Sequence, residues 1–204
     1  KVPKDRHPWI WDAESGKKFR YPVAKGKKEI QLTLAPASSL LIVFDTAEEG
    51  EIYPSVSPGT EGKTIEGRWR LKLLHVNGSS RETSLRNLVD FQRYTRLKIF
   101  AGEAIYEKEI RVEDSRGFTY LDLGNVQGVS ELTLNGKQIG VRWYGHHIYD
   151  ISGSLVNGNN SLSIKVTTIS GNYLKSLKNN ATAQRWTKGQ PYYPVGMMGP
   201  VKLL

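Results

Sequence analysis

"ELTLNGKQIGVRW", residues 131–143, decides the fold class of this chain because it has the pattern of a β-hairpin. Asn135 and Gly136 separate two short alternating runs, and Asn-Gly is a preferred two-residue loop because both positions of a type I′ turn need positive φ. Short alternating or apolar runs recur along the chain between Gly, Asn and Pro residues, whereas helical periodicity is nearly absent. The sequence therefore predicts an all-β protein.

The individual strand predictions follow from these runs. They are "EIQLTL" (29–34), "LLIVF" (40–44), "RWRLKLL" (68–74), "RLKIF" (96–100), "AIYEKEIRV" (104–112), "FTYLDLG" (118–124), "ELTL" (131–134), "KQIGVRW" (137–143), "HIYDIS" (147–152), "SLSIKVTTI" (161–169) and "GPVKLL" (199–204). One helix is predicted, over "SLRNLVDF" (84–91), where Ser84 would cap a turn that buries Leu85, Leu88 and Val89 at helical spacing.

Composition narrows the classes of function. The 204 residues are 38% hydrophobic and 24% charged, which is typical of a soluble globular protein, and no apolar stretch approaches the ~20 residues of a membrane span. The formal charge of +9 is spread along the chain; the one dense run, "KGKKE" (25–29), has no nucleic-acid motif around it and is interpreted as a solvated loop. With no cysteine, disulfides and thiolate metal sites are excluded.

Composition also changes along the chain. A stretch rich in Gly, Pro, Glu and Ser, residues 49–66, is predicted to be a linker because it has too few apolar residues to order itself. Residues 67–204 hold about nine predicted strands, enough for a two-sheet sandwich. Residues 1–48 hold about two, and they resemble the tail of a preceding β domain. The opening "KVPKDRHPWIWD" is typical of the middle of a chain, so we expect a fragment of a longer protein.

Four segments together resemble a known module, the galactose-binding-like jelly roll of glycoside hydrolase family 2. The resemblance is strongest to the C-terminal β-sandwich of family 106 rhamnosidase-like glycosidases. The segments are "LKIFAGEAIYEKEI" (97–110), "YLDLGNVQGVSELTLNGKQIGVRW" (120–143), "HIYDISGSLVNGNNSLSIKVTT" (147–168) and "GMMGPVKLL" (196–204). Looser similarity extends to "PWIWDAESGKKFRYP" (8–22) and "IQLTLAPASSLLIVF" (30–44), which resemble strands that end the preceding domain.

This resemblance implies a jelly-roll β-sandwich that is not itself an enzyme, because the family's catalytic barrel lies upstream of the residues present. It implies a periplasmic or secreted glycoside hydrolase as the parent protein, polysaccharide degradation as its process, and the upstream catalytic domain of the same chain as one partner. Carbohydrate is the other expected partner. Nucleic acid and a membrane span are not expected, and no cofactor is implied, although a structural calcium ion stays open.

The run "RWYGHH", residues 142–147, is the first candidate site. It departs from the family pattern, since Gly145-His146 stands where two prolines are usual. Sugars bind to aromatic platforms flanked by side chains that donate and accept hydrogen bonds, a mixture that this run contains. The candidate carbohydrate-binding residues here are Arg142, Trp143, Tyr144, His146 and His147.

Other interpretations of the run remain. Trp143 matches a family position that packs at a domain interface, and aromatic residues of β proteins are often core. A histidine base would need a positioned partner, and Asp150 is instead expected to accept from backbone N–H groups of a turn. Adjacent strand residues point to opposite faces, which disfavours a shared metal ion on His146 and His147. The sandwich would then have a purely structural, interdomain role without sugar affinity.

A second aromatic cluster lies in "QRWTKGQPYYPVGMMG", residues 184–199. Its Gly and Pro residues predict a long loop before the last strand, and long loops in compact domains are often functional or interfacial. Trp186, Tyr192 and Tyr193 complete the candidate carbohydrate-binding residues. Packing across the end of the sandwich is the alternative.

Overall fold

The computed structural model describes residues 1–24, 29–54, 56 and 59–204. The chain divides into two compact units, Lys1–Ser57 and Pro58–Leu204. Residues 25–28 lie outside the described residues, so the interpretation of "KGKKE" as a solvated loop stays a prediction. No described helix is long and apolar enough to cross a membrane.

The first unit contains one small antiparallel sheet. Its described strands are β1 (His7–Trp11), β2 (Lys18–Arg20) and β3 (Ile42–Asp45), in the order β2-β1-β3. Ile10 and Phe19 pair across β1 and β2 and are both buried. The strand predicted over residues 29–34 is wrong: this stretch pairs with no described strand and exposes Leu32 and Leu34, because alternation alone supplies no partner.

The second unit is an antiparallel β-sandwich, which confirms the all-β prediction. Numbered along the chain, its strands are β4 (Lys63–Thr64), β5 (Trp69–His75), β6 (Ser80–Leu85), β7 (Gly102–Val112), β8 (Tyr120–Asp122), β9 (Asn125–Gln127), β10 (Val129–Leu134), β11 (Lys137–Arg142), β12 (Ile148–Asp150), β13 (Gly158–Thr167), β14 (Gly196–Gly199) and β15 (Lys202–Leu203). Strand β4 lies inside the predicted linker 49–66.

These strands form two layers. One is a six-stranded sheet in the order β11-β10-β13-β7-β5-β6. The other combines a four-stranded sheet, β12-β8-β15-β4, with the two-stranded ribbon β14-β9. Alternate residues point inward: Leu162, Ile164 and Val166 of β13 meet Leu121 and Leu203 of the second layer in one core. Burial of each such side chain contributes about 1.5–3 kcal/mol.

The Asn-Gly hairpin prediction is confirmed. Asn135 and Gly136 have φ values of 53° and 77° between β10 and β11. The Asn135 amide also ties the turn to β13, since its Nδ2 donates to Asn160 Oδ1 at 2.8 Å and its Oδ1 accepts from the Ser161 backbone N at 2.9 Å. The hairpin is therefore anchored to its neighbouring strand as well as closed by its own turn.

The predicted helix over residues 84–91 is wrong. Ser84 and Leu85 end strand β6, and the only helical geometry nearby is the 3₁₀ turn Phe91–Arg93 of the described chain. Leu88 and Val89 do pack against the core, as does Leu85. Their helical spacing thus reflects three separate core contacts of an irregular segment.

The strand predicted over residues 96–100 is also wrong, because this segment is a turn. The Tyr94 carbonyl accepts from the backbone N of Leu97 and of Lys98, at 2.9 and 2.8 Å. Leu97 and Phe100 pack on the core and give the segment its apolar character.

Two short helices were missed by the sequence analysis, α1 (Gly171–Ser176) and α2 (Ala181–Thr187). Asn180 caps α2, with its Oδ1 accepting from the Ala183 backbone N at 2.9 Å. The helices have six and seven residues, fewer than two full turns each. Neither is long enough to produce a clear helical pattern of apolar residues in the sequence.

Candidate functional site

We call residues 142–147 the corner, because they connect the two layers of the sandwich. Strand β11, which ends at the first corner residue, Arg142, is an edge strand of the six-stranded sheet. Strand β12, which follows the corner, is an edge strand of the four-stranded sheet. Gly145 has a φ of 71°, the left-handed conformation in which glycine avoids the steric cost of a Cβ atom. The chain therefore turns sharply between the layers at one edge of the sandwich.

Arg142 fastens the two ends of the corner to each other. Its Nε donates to the Ile148 carbonyl oxygen at 3.1 Å. Its guanidinium carbon lies 5.4 Å from the centroid of the Tyr149 ring, within the range of a cation–π contact. Arg142 is thus committed to holding the turn and is only partly exposed.

A buried hydrogen-bond network lies beneath the corner. The Ser130 Oγ is 2.6 Å from both His147 Nδ1 and the Tyr149 hydroxyl, and that hydroxyl donates to the Ser130 carbonyl oxygen at 2.8 Å. One chain of donors accommodates all three bonds: His147 Nδ1–H to Ser130 Oγ, Ser130 O–H to the Tyr149 oxygen, and Tyr149 O–H to the Ser130 carbonyl. A fully satisfied buried network of this kind rigidifies its surroundings.

Burial sets the protonation of this network. It lowers the pKa of His147 below its usual value of 6.5, with the nearby Arg142 charge acting in the same direction. Burial likewise raises the pKa of Tyr149 to about 12. Both side chains are therefore neutral at pH 7.

The lowered pKa predicts a pH dependence of stability. Unfolding lets His147 take up a proton that the folded state resists, so the His147 contribution to stability is complete above pH 6.5. It declines as the pH falls below 6.5 toward the folded-state pKa. Urea denaturation between pH 7.5 and 5 is expected to show a decrease that His147→Gln reduces. A similar decrease in the variant would contradict the role given to His147. His7→Gln, at a partly exposed position of the first unit, provides the matched control.

Trp143 and Tyr144 form the outward face of the corner. Trp143 is 66% exposed, so its interpretation as a core residue is wrong. Its ring meets the Tyr144 ring edge to face, with centroids 4.6 Å apart and planes inclined by 69°. His146 beside them is half-buried, whereas His147 is only 6% exposed and supports the corner from below instead of reaching the surface.

Asp150 behaves as its sequence context predicted. Its Oδ1 accepts from the Ser152 backbone N at 2.8 Å and from the Ser152 hydroxyl, which stabilises the turn after β12. The Asp150 carboxylate therefore bonds to Ser152 and serves the turn instead of positioning His146 or His147. Within the described part of the chain, no group of three or more His, Cys, Asp or Glu side chains could hold a metal ion.

The second aromatic cluster is only partly the predicted long loop. Trp186 belongs to α2 and is 75% exposed, and residues 196–199 form strand β14, so the loop is confined to residues 188–195. The Asn172 amide shapes this loop, since its Oδ1 accepts from Tyr193 N at 2.9 Å and its Nδ2 donates to Tyr193 O at 2.8 Å. Lys98 and Lys175 lie over the Tyr192 ring, at 4.9 and 5.6 Å.

The corner and the second cluster do not merge into one platform. The corner follows β11, whereas the second cluster adjoins β5, where Tyr173 of α1 contacts His75 with ring centroids 5.0 Å apart. Strands β10, β13 and β7 lie between β11 and β5. Four strand spacings correspond to about 19 Å. Both clusters are at the same end of the sheet, as the pairing register requires, but on separate surfaces.

The sequence analysis missed Ser130 and Tyr149 as the supports of the corner. A signal was present in β10, where Ser130 alternates with Leu132 and Leu134 at inward positions. A serine at such a position needs a buried hydrogen-bond partner. The sequence does not reveal that the partners come from the other layer.

Comparison with known proteins supports a glycosidase relationship. No protein-family model matches the chain. Over 82 residues, 38% of the chain, it is 35% identical to a Formosa agariphila protein named "Putative beta-glucuronidase", and the chain covers 7% of that protein. Its structure aligns with a rhamnosidase from Novosphingobium sp. PP1Y at a TM-score of 0.69 and 22% identity, covering 99% of this chain and 21% of that one.

A Bifidobacterium dentium β-glucuronidase aligns over 58% of the chain and 22% of its own length, with 18% identity and a TM-score of 0.41, which is too low to support an argument. At 22% identity the rhamnosidase shows the fold alone. The chain spans about a fifth of the rhamnosidase and less than a tenth of the Formosa protein. It is therefore a β-sandwich similar to one part of much larger glycoside hydrolases.

Proposed function

We propose that this chain is a non-catalytic β-sandwich module of the galactose-binding-like type, part of a secreted or periplasmic glycoside hydrolase, and that its corner contacts carbohydrate. The observation that carries the proposal is the Trp143–Tyr144 pair. The Trp143 indole is 66% exposed and is therefore not packed in the core of its own domain. It lies on a turn held by a buried network, so the backbone that carries the indole is held in place before a ligand arrives.

Four acidic residues on the six-stranded sheet, each beside a cation, support a non-catalytic role. Arg70 lies 2.9 Å from Glu82 and 3.5 Å from Glu107, and the same arginine lowers the pKa of the Glu82 carboxyl. Lys165 lies between Glu103 and Glu131. A glycosidase needs a carboxylic acid whose pKa is raised, close to a second carboxylate. Arg70 acts on the Glu82 carboxyl in the opposite direction.

The proposal predicts weak binding that depends on Trp143. A shallow stacking site gains one ring face and a few hydrogen bonds that compete with water, so we expect millimolar affinity, about 4 kcal/mol. Calorimetric titration with oligosaccharides that contain rhamnose or glucuronate is the test, since the names of two proteins similar to the chain refer to these sugars. Trp143→Ala is expected to abolish binding, and Trp143→Phe to preserve part of it.

Trp11→Ala provides the matched control, because it removes a partly exposed indole from the first unit. It should leave the affinity unchanged. Equal affinities of Trp143→Ala and the unmodified chain, for a sugar that the chain binds, would remove the corner from the proposal.

A second candidate function is structural bracing of another domain of the parent enzyme. It is supported by exposed apolar side chains at the same end of the sandwich as the corner. They are Val76 (62% exposed), Ile169 (39%), Leu174 (37%) and Trp186 (75%). Under this alternative, Trp186→Ala in the parent enzyme would lower the midpoint of thermal inactivation, and the isolated chain would bind none of the sugars.

A further inference from the structure

A groove of about 320 Å³ lies beside β6, the edge strand opposite the corner. The irregular segment that follows β6 forms its other wall. Its lining includes Leu73, Arg81, Thr83, Arg86, Tyr94 and Leu97. A volume of this size is at the lower end of those that hold small ligands.

The groove exists because the second layer does not cover this edge of the six-stranded sheet. In the β5–β6 pairing, Arg81 is opposite Leu73 and Thr83 is opposite Leu71. Directly opposed residues share a face, so Arg81 and Thr83 lie on the inner face, beside leucines that are buried. Both are nevertheless exposed. Polar side chains thus replace core residues at this edge of the inner face.

The charge of this groove is entirely positive. Arg81 and Arg86 are its charged side chains, and neither forms an ion pair with a described residue. Arg70, on the outer face of the same sheet, instead contacts both Glu82 and Glu107. The two groove arginines therefore remain available to an anion from outside.

The segment that supplies Tyr94 and Leu97 to the groove is itself positively charged. Residues 91–102 contain Arg93, Arg96 and Lys98 but no acidic residue. The preceding Asp90 is engaged with the backbone, since its Oδ1 accepts from Gln92 N at 2.9 Å and Val195 N at 3.1 Å. Clustered cations around a cleft with low-dielectric walls raise the local concentration of anions.

Tyr94 and the leucines give the groove an apolar component. Tyr94 is 48% exposed and lines the groove beside Leu97. An exposed phenol ring can contact the C–H face of a sugar while its hydroxyl remains in water. Arginine binds carboxylate and sulfate in a forked geometry that lysine does not provide. Ring contact and anion contact are thus combined in one concave site.

We propose that this groove binds an acidic sugar residue, one that carries a carboxylate or a sulfate, with Arg81 and Arg86 contacting the anion and Tyr94 the ring. The inference rests on the proposed function for its choice of a glycan as partner. It does not depend on the corner, which adjoins β11 at the other edge of the sheet. Five strand spacings separate the two edges, about 24 Å.

The test is a titration of the ¹⁵N-labelled chain with three trisaccharides: galacturonate, its neutral methyl ester and a sulfated galactose form. We expect the galacturonate or the sulfated sugar to shift backbone resonances of residues 81–97, and the ester to leave them unchanged. Arg86→Gln and Arg81→Gln should each weaken binding by about tenfold. Lys137→Gln is the charge-matched control, because Lys137 lies on β11 and outside the groove, and it should have little effect.

Several outcomes would overturn the proposal. These are equal binding of the neutral ester, an equal loss in Lys137→Gln, or tighter binding of a single-stranded oligonucleotide of the same charge. Another is that no acidic sugar binds. If Arg81→Leu then also causes self-association, Arg81 instead protects an open edge strand. Trp143→Ala should leave the residue 81–97 shifts unchanged, so failure at the corner and failure at the groove are distinguishable.

Discussion

Replacing Trp69 with alanine is expected to lower the free energy of unfolding of the sandwich by about 3–5 kcal/mol. Trp69 opens strand β5 and is 2% exposed in the core between the two layers. Truncating its side chain removes the apolar burial of an indole and leaves a cavity that the flanking strands can only partly close. Urea denaturation followed by far-ultraviolet circular dichroism measures the change.

Trp143→Ala is the matched comparison, because it makes the same chemical change at a position that is 66% exposed. It should change the free energy of unfolding by less than about 0.5 kcal/mol. A large loss of stability in this variant would show that Trp143 holds the fold together, and the exposed platform would then be wrong.

Gly124→Ala is expected to have an effect of similar size through the backbone. Gly124 has a φ of 66°, and a Cβ atom there would lie 2.5 Å from the Gly199 carbonyl carbon and 2.6 Å from the Pro200 oxygen. These contacts are with backbone, which cannot rotate away as a side chain does. The left-handed conformation and the displacement of the neighbouring chain together should cost about 3–5 kcal/mol.

Gly153→Ala separates the two contributions. Gly153 has a φ of 69° but no atom within 4 Å of the added Cβ. This variant should lose only the conformational part, about 1–2 kcal/mol. If urea denaturation gave the same loss of stability for both alanine variants, the close approach of Gly124 to Gly199 and Pro200 would contribute nothing to the free energy of unfolding.

The sequence predicted those parts of the fold whose signals are local. The Asn135-Gly136 turn needs positive φ at two adjacent positions, and few residue pairs other than Asn-Gly tolerate this. The helix prediction over residues 84–91 was wrong because helical spacing can also arise from an irregular segment that contacts the core three times, here through Leu85, Leu88 and Val89. The strand prediction over residues 29–34 was wrong because a strand needs a pairing partner, which the short alternating pattern does not specify.

The candidate site divides in the same way. The concentration of aromatic and imidazole rings at 142–147 was visible in the sequence, but the separate roles of its members were not. Exposure of Trp143 and burial of His147 depend on which layer each side chain faces after the turn. Arg81 and Arg86 were not singled out at all, because their significance arises from an uncovered edge of the sheet, which is a tertiary feature.

The indole N–H resonance of Trp143 reports whether the corner contacts carbohydrate. The ¹⁵N-labelled chain would be titrated to high millimolar concentrations of oligosaccharides that contain rhamnose or glucuronate, with the resonance assigned by its absence in Trp143→Phe. If the corner contacts carbohydrate, the Trp143 indole resonance shifts saturably while that of buried Trp69 stays fixed. A Trp143 resonance that does not move with any of these sugars, in a chain that remains folded, would contradict it.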